Sequence, residues 1–117
     1  MKYKEIYTLT RPSTDVPFHA PNSILKCDTS PLDPTGASPA AQRFTEYYTN
    51  TGKGEILSPP SLSDDGLTLT YQTQFNSTEF FSEICADSFF TDDIPVRQNW
   101  NTENNIIESS DVTEIPE

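Results

Sequence analysis

Few side chains in this 117-residue sequence could take part in catalysis. His19 is the single histidine, and it lies between Phe18 and Ala20 in a proline-rich stretch. A general base needs an orienting partner and a substrate within reach, and the neighbouring sequence supplies neither. We therefore interpret His19 as an ordinary loop residue, and we predict that no residue of the chain is catalytic.

The carboxylates and cysteines do not have the spacing of a metal site. Asp64-Asp65 and Asp92-Asp93 fall at an expected turn and an expected helix end, where aspartate hydrogen-bonds the local backbone. Cys27 and Cys85 are far apart in the sequence and belong to no cluster. We expect Cys85 to be a reduced thiol in the core, although a disulfide with Cys27 stays open. The sequence predicts no metal and no cofactor.

Composition excludes two classes of partner. The net charge is −11, which disfavours binding to a nucleic-acid backbone because that needs a basic face. Only 33% of the residues are hydrophobic, and no apolar run approaches the roughly 18 residues of a membrane span. Lys2 and Lys4 are not followed by an apolar segment, so we expect synthesis in a cytoplasm without a secretory signal.

The negative charge is concentrated near the end of the sequence. Residues 76–117 contain ten acidic residues and one basic residue, Arg97. We interpret residues 106–117 as an acidic tail outside a single domain of residues 1–105. Its sparse apolar residues, such as Ile107 and Val112, would suit docking on a basic partner.

A proline-rich arm is predicted at residues 11–37. It follows a strand expected over residues 1–10, because tyrosine, isoleucine and threonine suit a pleated surface. A loop of this length is uncommon in a compact domain and is normally functional or flexible. We expect the arm to lie on its own domain or on a neighbouring protein.

The patterned centre of the chain predicts two helices and two strands. Ser38-Pro39 begins the first helix, which carries Tyr47 on its apolar stripe. Asn76 or Ser77 begins the second. We expect the first helix to end by Asn50 or Gly52 and to be followed by an edge strand at 54–62 and a strand at 67–75. The second helix is expected to end at Asp92-Asp93, with Cys85 on its buried stripe. A final strand or extended pass at 94–100 and a turn at 101–105 complete the prediction.

This order of elements predicts an α+β fold. It matches a small ferredoxin-like antiparallel sheet with two helices, in which the proline-rich arm lengthens the first crossover. Most aromatic residues fit core positions of the helices and strands. Phe90 and Trp100 lie off the apolar stripes, so they could instead anchor a partner.

Three short stretches resemble small uncharacterised proteins of tailed bacteriophages, especially marine ones. They are residues 7–12 (YTLTRP), residues 62–70 (LSDDGLTLT), and residues 99–101 (NWN) with residues 103–105 (ENN). The resemblance implies a virion component of the head, neck or tail. Its motifs are structural, so no functional residue is carried over.

These observations lead to three hypotheses. The first is a non-enzymatic structural subunit of a tailed-phage virion, which binds other virion proteins in a symmetric multi-copy assembly. The second is an acidic inhibitor that imitates DNA with Glu79, Glu83 and Asp87 beside Asp92-Asp93. The third is a small dimeric α+β enzyme with His19 or a carboxylate as its base. For the first, the predicted partner-binding residues are Val16, Phe18, Ile24, Leu25, Leu32, Phe90, Trp100, Ile107, Glu108, Asp111 and Glu114.

Overall fold

A four-stranded antiparallel sheet carries the fold in the computed structural model, which describes residues 1–26 and 38–116. The strands are β1 (Lys2–Thr10), β2 (Gly54–Leu62), β3 (Thr68–Phe75) and β4 (Ile107–Ile115), and their order in the sheet is β2-β3-β1-β4. Helices lie in both crossovers, the connections from β1 to β2 and from β3 to β4, so the α+β class is confirmed. Two residues named above, Cys27 and Leu32, lie outside the described residues.

The centre of the sheet follows the alternation in the sequence. Leu9 pairs with Leu69, and Tyr7 pairs with Tyr71, across β1 and β3. Leu69 and Phe75 are buried on the face that the helices cover, whereas Thr70 and its same-face neighbours point to the other side. This confirms the prediction of a strand with one packed face.

Strand β2 lies at one edge of the sheet, as its prolines predict. Pro59-Pro60 falls where the pairing with β3 shifts register. The hairpin that follows is closed by Asp65, whose carboxylate accepts hydrogen bonds from the Ser63 hydroxyl and the Leu67 N–H. Gly66 has φ of +74°, a conformation that glycine adopts without steric cost.

The first crossover contains α1 (Pro39–Phe44), which continues as a π-helical turn over Thr45–Thr49. The Ser38 side chain accepts a hydrogen bond from the Ala41 N–H, so the predicted cap is confirmed. Phe44 and Tyr48 are buried and stack with ring centroids 5.5 Å apart. Tyr47, predicted on the same apolar stripe, is instead 51% exposed.

The second crossover contains three helices instead of one long helix. They are α2 (Thr78–Cys85), α3 (Ser88–Thr91) and α4 (Ile94–Asn104). The prediction of one helix reaching Asp92-Asp93 is wrong because Asp87 begins α3, with its carboxylate accepting from the Phe89 N–H. Cys85 is exposed at the end of α2 and is not a core thiol.

Helix α4 also replaces the strand predicted at residues 94–100 and the turn at 101–105. Pro95 lies in its first turn, where proline is favoured, and Asn105 ends it in the left-handed conformation with φ of 57°. None of the described helices is long and apolar enough to cross a membrane.

The predicted acidic tail is wrong for residues 107–115, which form β4. The strand pairs with β1 without interruption from Thr10 opposite Ile107 to Lys2 opposite Ile115. Ile106, just before the strand, is 6% exposed and belongs to the core. The domain therefore does not end at residue 105.

The arm, as far as Lys26, packs on its own domain. Phe18 is only 1% exposed, and the Arg11 guanidinium lies 4.3 Å from the centre of its ring. The Trp100 indole N–H donates to the Pro17 carbonyl oxygen at 3.0 Å. Val16 packs on the same core. Val16, Phe18 and Trp100 thus make contacts within the chain, and their binding to a partner stays a prediction.

The core consists of two separate clusters. Cluster A holds Tyr7, Leu9, Phe18, Leu69 and Ile106. Cluster B holds Phe44, Tyr48 and Phe75, with Tyr3, Phe81, Ile84 and Phe90 packed against them. Phe90 thus packs against the core, and its role as a partner anchor stays a prediction.

One charged network joins the two crossovers. The Asp87 carboxylate accepts two hydrogen bonds from Arg43, each 3.0 Å, and one from the Tyr48 hydroxyl at 3.2 Å. Burial would raise the pKa of Asp87, but these hydrogen bonds and the Phe89 N–H hold it below its ordinary value. Asp87 is therefore turned toward the protein and not presented on an outer face.

Replacing Phe18 tests whether the arm is part of the core. We expect Phe18→Ala to lower the free energy of unfolding by about 3 kcal/mol, because it opens a cavity in cluster A. Leu57→Ala, at a 42% exposed position of β2, is the matched control and should cost under about 1 kcal/mol. Denaturant unfolding followed by Trp100 fluorescence measures both. Equal losses in the two variants would show that Phe18 is not a core residue.

Candidate functional site

A cavity of about 450 Å³ lies between the helix-covered face of the sheet and the helices. It is lined by Leu69 of cluster A and Phe75 of cluster B, so it occupies the space between the two clusters. Cavities of this volume hold small organic ligands in other proteins. The site is therefore built where the core is incomplete.

Most of the cavity wall is apolar. Aromatic and aliphatic side chains come from the sheet, from both crossovers and from the arm. They are Ile24, Leu25, Phe44, Ile56, Leu69, Phe75, Phe81, Ile84, Phe90 and Ile94. Two predicted partner-binding residues, Ile24 and Leu25, thus line the cavity. Such a wall favours a ligand with a hydrophobic body.

The polar groups on the wall include three carboxylates that already have hydrogen-bond partners. Glu108 accepts a short hydrogen bond from the Tyr7 hydroxyl. Glu5 accepts one of 2.8 Å from the Ser110 hydroxyl. Asp93, only 4% exposed, accepts from the Ser23 hydroxyl at 3.0 Å and the Ile24 N–H at 3.1 Å. These bonds fix the carboxylates.

Arg97 differs from the carboxylates because its buried Nε has no hydrogen-bond partner within the described chain. The nearest carboxylate oxygen, Oδ2 of Asp93, lies 3.5 Å away and forms an ion pair with it but no hydrogen bond. Helix α4 places these two side chains one turn apart. A buried donor without an acceptor costs about 1–3 kcal/mol and calls for an explanation.

His19 lies on the same wall, and no described residue forms a hydrogen bond with its ring. Burial, and then the positive charge of Arg97, lower the pKa of His19 to about 4. The imidazole is therefore neutral at pH 7, with one N–H donor and one acceptor nitrogen.

Tyr71 completes the set of available polar groups. Its hydroxyl has no hydrogen-bond partner among the described residues, in contrast to the Tyr7 hydroxyl beside it. The two rings are 5.0 Å apart. Burial, and then the charge of Glu5, raise the pKa of Tyr71, so the phenol stays protonated. The cavity thus offers hydrogen-bond donors from Arg97, His19 and Tyr71.

Sequence reasoning missed the members of this site. His19 was interpreted as an ordinary loop residue, and Tyr71 as a core residue. Arg97 carried a usable signal, since it is the single base among residues 76–117. Of the predicted partner-binding residues, Glu108 lies in the cavity, while Ile107, Asp111 and Glu114 lie exposed on β4.

Comparison with models of known families, with curated proteins and with solved structures finds no match to this chain. Its function is therefore argued from the cavity and the surface alone.

The burial of His19 predicts a specific dependence of stability on pH. The unfolded chain binds a proton on His19 as the pH falls below 6.5, whereas the folded chain resists protonation until about pH 4. The stability present above pH 6.5 is therefore lost between pH 6.5 and 4, by about 3 kcal/mol. His19→Asn, which has no titrating ring at this position, isolates the contribution of His19 from the rest of the pH dependence.

We expect the free energy of unfolding of the wild type to fall more steeply than that of His19→Asn across this range. Chemical denaturation at pH 7, 5.5 and 4.5 measures the difference. Parallel curves for the two proteins would mean that His19 is accessible to water and protons.

Proposed function

We propose that this protein binds a small, neutral, mainly apolar molecule that carries one carbonyl or hydroxyl acceptor. The observation that carries this proposal is the buried Arg97 Nε without an acceptor on the cavity wall. A ligand oxygen in the cavity would accept from the guanidinium of Arg97, which lines the wall, and His19 and Tyr71 add further donors. The apolar wall would hold the rest of the molecule.

The charge on the wall favours a neutral ligand over an anionic one. Three carboxylates, those of Glu5, Asp93 and Glu108, line the cavity together with one guanidinium. A ligand carboxylate would bind close to these negative charges and be repelled by them. A carbonyl oxygen accepts from Arg97 without this repulsion.

Binding is also better supported than catalysis. The cavity supplies the concave site that the enzyme hypothesis required, and His19 lies in it. However, general bases work best when their pKa is near the working pH, and that of His19 is about 4. His19 is therefore proposed as a hydrogen-bonding group for the ligand.

A pair of matched probes tests the proposal. We expect 4-phenylbutan-2-one to bind about tenfold more tightly than butylbenzene, because only the ketone accepts a hydrogen bond from a charged donor. Arg97→Met should remove this preference while leaving butylbenzene binding nearly unchanged. Isothermal titration and the shift in the melting temperature measure both. Glu103→Gln, an exposed position on the same helix that does not line this cavity, is the control.

Two results would contradict the binding of a ligand oxygen by Arg97. One is the absence of binding for both probes at millimolar concentration. The other is an unchanged preference for the ketone in Arg97→Met. Tighter binding of 4-phenylbutyrate than of the ketone would instead assign an anionic ligand to the cavity and refute the neutral one.

We also propose, as a second function, that the chain is a structural subunit of a tailed-phage virion with a ferredoxin-like fold. The strand order β2-β3-β1-β4 and the two helical crossovers support that fold. The observation that favours assembly is the free outer edge of β4, where Ile107 is 70% exposed. Mass spectrometry of purified particles should detect the chain in many copies per particle, and its absence would refute this function.

The DNA-mimic hypothesis has less support. Asp87 and Asp93 are engaged within the chain, and Glu83 accepts hydrogen bonds from Lys53 at 2.8 and 3.1 Å. Of the five carboxylates that this hypothesis uses, only those of Glu79 and Asp92 have no side-chain hydrogen bond or ion pair within the described part of the chain.

A further inference from the structure

We propose that the outer edge of β4 binds a basic, extended segment of a neighbouring protein, which adds to the sheet as a fifth strand. This inference rests on the assembly function and is independent of the cavity. It assigns a site and a partner chemistry to the predicted contact residues on β4.

The geometry of β4 provides a template for strand addition. The strand has nine residues, all paired with β1 in one unbroken register, and β1 is its one strand neighbour within the described chain. In an antiparallel ladder, about half the backbone N–H and C=O groups of an edge strand point away from the sheet. Residues 107–114 are all exposed, so nothing in the described chain covers these groups.

The opposite edge of the sheet is protected, and β4 is not. Strand β2 contains Pro59-Pro60, and its pairing with β3 shifts register twice. Prolines, irregularities and lysines are the features that keep edge strands from pairing with other chains. Residues 107–115 contain no proline and no lysine, and their pairing is regular. The two edges therefore differ in their capacity to accept a strand.

Charge decides between a second copy of this chain and a different partner. Antiparallel pairing of two β4 strands over their full length would place Glu108 opposite Glu114 and Asp111 opposite Asp111. All three acidic residues would then face acidic residues, and like charges in directly opposed positions are destabilising. No basic residue lies in 107–115 to relieve this. A strand with a basic residue at every third position would place one opposite each of them, because Glu108 and Glu114 lie on one face of the sheet and Asp111 on the other.

Apolar contacts would accompany the charges. Ile107 is 70% exposed and Val112 is 43% exposed. The regular pairing with β1 places them on opposite faces of the sheet. A partner strand with small apolar side chains between its basic residues would cover both. The proposed occupant is thus a segment in which lysine or arginine recurs at every third position among valine or threonine residues.

A synthetic peptide serves as the probe. It has nine residues, with lysine at positions 2, 5 and 8 and valine or threonine elsewhere, so that antiparallel pairing places the lysines opposite Glu114, Asp111 and Glu108. A second peptide has glutamate in place of lysine. Fluorescence anisotropy measures their affinity for the full chain, and amide hydrogen exchange locates the contact. We expect the lysine peptide alone to bind and to slow exchange in β4. A lysine peptide with proline between the lysines should not bind, because it cannot complete the ladder.

Charge variants keep the test specific to this edge. Asp111→Lys with Glu114→Lys should weaken binding of the lysine peptide about tenfold, since two attractions become repulsions. The control variant, Glu46→Lys with Asp64→Lys, makes the same change in net charge at exposed positions away from β4. It should weaken binding of the lysine peptide less than about twofold. Circular dichroism confirms that both double variants are folded.

Four results would overturn the proposal. They are no binding of the lysine peptide at low salt, equal weakening in both double variants, protection located away from β4, and dimerisation of the wild type through β4. Particle composition separates this site from the assembly function. If the chain is present in particles but the peptide does not bind, the edge proposal alone fails. If the peptide binds but particles lack the chain, the virion function alone fails.

Discussion

The structure depends on how few large apolar side chains are available to fill the space between the sheet and its helices. Only 33% of the residues are hydrophobic, and most of the buried ones that the structure describes gather in two clusters. Cluster A is completed by Phe18 from the arm, and cluster B by the aromatic rings of both crossovers. A small domain with a limited core buries a smaller share of its surface than a large one. Here the shortage of apolar side chains leaves a space between the clusters, and that space is the cavity.

The same constraint explains how the rest of the chain is used. The described part of the arm folds back on the domain, where Phe18 fills part of cluster A. The Arg11 guanidinium packs on the Phe18 ring, and the Trp100 indole N–H donates to the carbonyl oxygen of Pro17, the preceding residue. Strand β4 pairs with β1 along its whole length, and Ile106, just before it, packs in the same cluster. Segments that look like extensions in the sequence are thus parts of the domain.

Local patterns in the sequence predict about half of this fold. The alternation in β3, the cap at Ser38 and the edge position of β2 are set by neighbouring residues, so they can be read from the sequence. The errors have long-range causes. Asp87 ends α2 and begins α3 because Arg43 and Tyr48, more than thirty residues earlier, fix its carboxylate. The acidic segment 107–115 becomes a strand because β1 is available to pair with it.

The cavity was less predictable than the fold. His19, Tyr71 and Arg97 belong to the arm, to β3 and to α4, and no spacing rule connects these elements. Composition singled out Arg97 as an isolated base, but only the folded chain shows that its Nε is buried without an acceptor. The unsatisfied donor, and not a motif, identifies the site.

The central claim is that a ligand oxygen in the cavity accepts a hydrogen bond from the Arg97 guanidinium. Nuclear magnetic resonance of the arginine side chains, during titration with 4-phenylbutan-2-one, tests this most directly. The account predicts that the Arg97 Nε–H resonance and the His19 ring signals shift together and saturate, while those of Arg43, which already bonds Asp87, stay in place. Saturable shifts at Arg43 with none at Arg97 would contradict it.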